Sequence, residues 1–117
     1  MAFTTQITLQ LDDLPAPKAA MVAAHFPSIE TCMQSVSLVM KHKLYTCEMM
    51  DKTILDCTKN NTEQLKNRFF VEGDPKAILM LEVRANSNNE LQKQITELQN
   101  TLSTSKVDQT KIRLRKY

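Results

Sequence analysis

Gly73 is the only glycine in the chain, and there is no tryptophan. Loops that cradle phosphates need several glycines, because the backbone must come close to the ligand. A nucleotide loop is therefore excluded from these residues. The three cysteines, Cys32, Cys47 and Cys57, are odd in number and lack Cys-x-x-Cys spacing. That argues against a disulfide framework or a zinc site and for a reducing, cytoplasmic setting. Each reads most simply as a small buried hydrophobe. No apolar run approaches the roughly 18 residues of a membrane span, and no segment reads as a signal peptide. A strong charge of either sign is also missing, since the formal net charge is +2. Nucleic-acid binding ordinarily needs a basic face. Only Lys111-Ile-Arg-Leu-Arg-Lys116 offers one, and it reads as a solvated terminus or an edge strand. At 117 residues the chain has the size of one domain.

What is present is a clear succession of patterns. Phe3, Thr5, Ile7, Leu9 and Leu11 alternate with polar residues at period two, predicting a strand with one buried face. Pro15 and Pro17 then make an extended connector. The apolar run Ala19 to Phe26 predicts a mostly buried strand, ended by Pro27. Ser28 is a good helix N-cap, with Glu30 favourable near the positive helix end. Ile29, Cys32, Met33, Val36 and Met40 predict an amphipathic helix to about His42. Lys43 to Thr46 reads as a short strand and Glu48 to Cys57 as a short helix. Lys59 to Arg68 reads as a loop or frayed helix.

Gly73-Asp-Pro75 signals a turn. Ala77 to Ala85 is a strand, with Leu79, Leu81 and Val83 on one face and Ile78, Met80, Glu82 and Arg84 on the other. Ser87-Asn-Asn-Glu90 is a capping box. It opens a helix whose Leu91, Ile95, Leu98 and Leu102 read as core in preference to a coiled-coil seam, which two heptads are too few to sustain. Val107 to Leu114 alternates weakly and could close the sheet. From Ala19 onward this order predicts an α+β fold of the ferredoxin-like, split βαβ type. It is an antiparallel sheet with helices on one face, plus an extra N-terminal strand.

Candidate catalytic groups are sparse. His25 sits in an apolar strand and reads as a satisfied edge residue; His42, at a helix end, reads as a capping interaction. Glu48 and Asp51 are three residues apart and would share a helix face, where they could hold a metal or orient a base, although a charge effect at a helix start is the plainer reading. Glu72 and Asp74 flank the glycine as exposed turn residues. No complete metal site or nucleophile constellation is visible. The residues alone describe an interaction or cap module.

A family resemblance adds to this. Phe3-Thr-Thr-Gln-Ile-Thr-Leu-Gln-Leu11 resembles the "I-T-x-A-T-L-x-L" strand that ends the FAD-binding domain of FAD-linked oxidases of the glycolate oxidase and D-lactate dehydrogenase type. The Pro-Ala-Pro connector, Phe26-Pro-Ser-Ile-Glu30, Glu48-Met-Met-Asp51 with Leu55, Gly73-Asp-Pro75 before Ile78-Leu-Met-Leu-Glu-Val83, and the helix from Asn88 to Leu102 resemble that family's C-terminal domain in the same order. The resemblance covers about residues 3–102 and rests on the order and spacing of its motifs.

It implies a boundary, with 1–18 the terminal strand and connector of a preceding FAD-binding domain and 19–117 a ferredoxin-like cap. It further implies a parent oxidoreductase that passes hydride from a small 2-hydroxy acid to FAD, the flavin lying mainly on a domain outside this chain. The partners implied are the parent's FAD-binding domain and the 2-hydroxy acid, with a homodimer left open. The location is cytoplasmic, or peripheral to a membrane in the parent. Arg115 aligns with an arginine of the family's "W-x-x-R-K" segment that can pair with a substrate carboxylate, although Ile112 stands where the tryptophan would be. Two family features, the glycine-rich loop and a His-rich metal motif, have no counterpart here. The alternative is a free-standing ferredoxin-like module that binds a partner through an open sheet edge.

Overall fold

Regular structure begins at Lys18 in the computed structural model, which describes residues 1–117. Four strands, β1 (Lys18–Phe26), β2 (Thr46–Asp51), β3 (Ala77–Ala85) and β4 (Lys111–Lys116), form one sheet in the order β2-β3-β1-β4, every neighbouring pair antiparallel. The helices are α1 (Ile29–Val39), α2 (Lys52–Cys57), α3 (Thr62–Leu65) and α4 (Asn88–Thr104), with a 3₁₀ turn at Lys66–Arg68. This is the ferredoxin-like arrangement that the order of elements predicts.

Alternation along the two central strands explains the layers. Ala20, Val22, Ala24 and Phe26 of β1 join Leu79, Leu81 and Val83 of β3 on one face, under Cys32 and Val39 of α1 and Leu91, Ile95, Leu98 and Leu102 of α4. The opposite face carries a smaller cluster, Ala23, Ile78 and Met80, covered by Leu55 of α2 and by Phe70 and Val71. The two long helices thus share a face, while the polar stretch between β2 and β3 partly covers the other.

The helix ends are built as the sequence suggests, with adjustments. The Ser28 Oγ accepts from the Thr31 N–H at 3.2 Å. The Ser87 Oγ accepts from the Glu90 N–H at 3.2 Å, and the Glu90 carboxylate reaches back to the Asn86 N–H at 3.3 Å, one residue earlier than a reciprocal box requires. In α1 the buried stripe is Cys32, Ser35 and Val39, so Ile29, Met33 and Met40 are exposed instead of packed. Ser35 is tolerated inside because its Oγ donates to the Thr31 carbonyl at 3.2 Å.

Three expectations are corrected. Residues 1–17 form no strand, and Phe3, Ile7, Leu9 and Leu11 are exposed. A strand needs a neighbour for its backbone N–H and C=O groups, and this segment pairs with neither edge strand, β2 or β4. The tail lengthens the molecule: the radius of gyration is 17.4 Å, against about 13 Å for a compact chain of this size.

The second strand is Thr46–Asp51, not Lys43–Thr46, and α2 starts only at Lys52. Pairing of Glu48, Met49 and Met50 with Met80, Leu79 and Ile78 extends the segment, overriding its helical spacing. The last strand lies at Lys111–Lys116, later than Val107–Leu114, and is an edge strand.

Candidate functional site

On the sheet face opposite α1 and α4 a groove of about 410 Å³ runs between β1, β4 and the segment after the 3₁₀ turn. Met21 and Ala23, Phe69 and Phe70, and Arg113 and Arg115 define it. Period two along β4 sends Lys111, Arg113 and Arg115 to this side, opposite His25, Ala23 and Met21 of β1.

The segment 69–72 is fastened to the sheet by its own residues. Arg68 donates to the Leu55 carbonyl and, at 2.5 Å, to the Thr58 hydroxyl, closing the end of α2. Phe69 and Phe70 meet edge to face, with centroids 5.6 Å apart. The Glu72 carboxylate pairs with Lys111 and with Arg113, the latter at 3.1 Å. The Glu72 N–H donates to His25 Nε2 at 3.1 Å. Gly73 follows with φ +68°, a left-handed turn that a side chain would strain. Lys52 then bridges Asp56 and Asp74, at 3.1 and 2.5 Å, and holds the Asp74 carboxyl below its usual range.

Arg115 differs from its neighbours. Its guanidinium lies 4.1 Å from the Phe69 ring centroid and 5.2 Å from that of Tyr117, and it has no acidic partner, whereas Arg113 is paired with Glu72. Stacking on aromatic faces orients an arginine without neutralising it, contributing about 0.5–1 kcal/mol at an exposed site. The arrangement offers one uncommitted, pre-oriented cation over an apolar floor, which suits a small carboxylate.

The remaining sequence candidates are placed elsewhere. His25 is fully buried in an inner strand, not at an edge. Because Nε2 accepts, the neutral ring carries its proton on Nδ1, which has no hydrogen-bond partner. Burial holds its pKa below the ordinary value. The His42 side chain does not cap α1; its Nε2 meets the Thr101 hydroxyl of α4 at 2.8 Å. Glu48 and Asp51 do not share a helix face. They lie in β2, where residues three apart point to opposite sides, and the Asp51 carboxylate caps α2 by accepting from the Ile54 N–H at 2.9 Å. No three His, Cys, Asp or Glu side chains converge as a metal site would require. Cys32 is buried and Cys47 half-buried, but Cys57 is exposed, contrary to the expectation that all three are core.

Sequence reasoning singled out Arg115 and missed its setting. Phe69-Phe70 and the two-residue spacing of the β4 cations were visible signals, but nothing local says that they meet across 40 residues.

One family model matches the chain, that of the FAD linked oxidases, C-terminal domain, over residues 15–113. No curated protein and no solved structure matches it. The match covers most of the chain, and the chain belongs to that family; residues 1–14 and Arg115 lie outside the matched range. The family implies FAD in the parent protein. The residues here do not fit the flavin pyrophosphate, since the chain holds a single glycine, Gly73, in a left-handed turn, and a phosphate-cradling loop needs several.

Proposed function

We propose that this member of the FAD-linked oxidase C-terminal family is the substrate-side cap of an oxidoreductase of the glycolate oxidase or D-lactate dehydrogenase type, acting on a small 2-hydroxy acid. The uncommitted, stacked guanidinium of Arg115 in the groove carries this reading. In it, Arg115 binds the substrate carboxylate and the apolar floor of Met21, Ala23 and Phe70 excludes water. FAD lies on a preceding domain, and residues 1–18 are that domain's last strand and the connector. The unpaired alternating segment 3–11 and the start of the family match at residue 15 support this division. Bound FAD would accept the hydride; the cap positions the acid. The reading keeps the cytoplasmic location expected from the cysteine pattern.

The test is D-lactate and glycolate oxidation by the flavoprotein containing this chain. Arg115→Met is expected to lower kcat/KM roughly tenfold to a hundredfold, as for loss of a charge-assisted hydrogen bond. Unchanged kcat/KM would remove Arg115 from the site. Tight FAD binding by this chain alone, read by flavin fluorescence, would overturn the division of labour.

A further inference from the structure

We propose that Glu72 sets the charge selectivity of the groove, restricting it to substrates with a single carboxylate. The proposal rests on the reading of Arg115 as a carboxylate partner and adds a role for a residue of the covering segment. Two guanidiniums line the groove, Arg113 and Arg115. Two residues apart on one strand face, they project about 7 Å from each other, a spacing that a dicarboxylate could bridge. Glu72 prevents this. It engages Arg113 and Lys111 together, leaving Arg115 as the one open cation.

Glu72 is not merely a mobile side chain that happens to find a lysine. Its N–H is held by the buried ring of His25, and Gly73 turns the chain away directly after it. Neighbouring Phe69, from the same segment, stacks on Arg115. One segment therefore neutralises one arginine and presents the other. A substrate with a second carboxylate would have to displace the Glu72 carboxylate from Arg113 and sit beside its negative charge, whereas a monocarboxylate meets Arg115 alone.

The test follows the arginine Nε–Hε signals in ¹H–¹⁵N spectra while the chain is titrated with D-lactate or D-malate. In the wild type both acids are expected to shift Arg115 and leave Arg113 unmoved, with D-malate binding no tighter than D-lactate. In Glu72→Gln, D-malate is expected to bind about fivefold tighter and to shift Arg113 as well, with D-lactate unaffected. Adding Arg113→Gln to that variant should abolish the gain, and the backbone amide spectrum of β4 reports whether the segment still packs.

An equal preference between the two acids in wild type and Glu72→Gln would overturn the proposal while leaving Arg115 in place. A folded wild type whose Arg115 responds to neither acid would instead overturn the underlying reading, and the selectivity role with it.

Discussion

The ring of His25 and the backbone of Glu72, 47 residues apart, are joined by a hydrogen bond of 3.1 Å from the Glu72 N–H to Nε2. A buried strand residue thereby anchors the segment that walls the groove. The bond exists only while Nε2 is unprotonated, since a protonated nitrogen would face the N–H donor.

Stability should accordingly depend on pH. Desolvation lowers the His25 pKa in the folded chain; nearby Arg113 lowers it further, while backbone carbonyls of Ala23, Lys111 and Phe70 oppose the shift. The group facing the ring from the covering segment is Glu72, itself paired with Lys111 and Arg113. Below the ordinary value of 6.5 the unfolded chain binds a proton that the native chain resists. This contribution is therefore fully present above that value and is lost as pH falls toward the lowered native pKa. Urea unfolding between pH 7.5 and 5 should show the decline, and His25→Gln, which can keep an acceptor, should flatten it. An unaltered slope in that variant would assign the titration elsewhere.

Leu81 is fully buried between the sheet and α4, whereas Leu114 on the edge strand is 41% exposed. Leu81→Ala is expected to lower the unfolding free energy by about 2–5 kcal/mol and Leu81→Asp to unfold the domain. Leu114→Ala should cost under about 1 kcal/mol. Circular dichroism melts of the three variants check the order; a well-folded Leu81→Asp would remove Leu81 from the core.

Asp51 is a cap and not half of a carboxylate pair. Asp51→Ala should destabilise by about 1 kcal/mol, while Asp51→Asn, which keeps the acceptor for the Ile54 N–H, should stay within a few tenths. Equal losses in chemical denaturation would indicate that the charge, and not the hydrogen bond, is what α2 needs.

The cysteines should separate by reactivity. Cys57 is exposed, and burial with Cys47 nearby pushes the Cys32 thiol up to about 11. Ellman's reagent at pH 8 is expected to modify Cys57 first and Cys32 only on unfolding. Rapid labelling of Cys32 in the native chain would contradict its place on the buried face of α1.

Much of the fold was legible because its signals are local. Leu79, Leu81 and Val83 alternate, Leu91, Ile95, Leu98 and Leu102 recur at helical spacing, and Ser28 and Ser87 announce helix starts; each depends only on neighbours along the chain. The segment 48–51 reads as helix because Met50, Ile54 and Cys57 mimic helical spacing. Only its pairing with β3 reveals a strand, since sheet hydrogen bonds come from distant residues. The N-terminal alternation shows the converse, a strand pattern without a strand, because alternation marks a face but supplies no pairing, and the segment joins neither edge strand, β2 or β4.

The sequence alone determined the ferredoxin-like order of elements, the buried faces of β3 and α4 and the absence of a glycine-rich phosphate loop, since periodicity, capping and backbone freedom belong to contiguous residues. Tertiary structure decided the site. Packing brought Phe69 onto Arg115, committed Arg113 to Glu72 and buried His25 against the segment between them. Those contacts span some 40 residues or more, and only the closing of β4 against β1 and the folding of 52–76 over the sheet bring their charges and rings within reach.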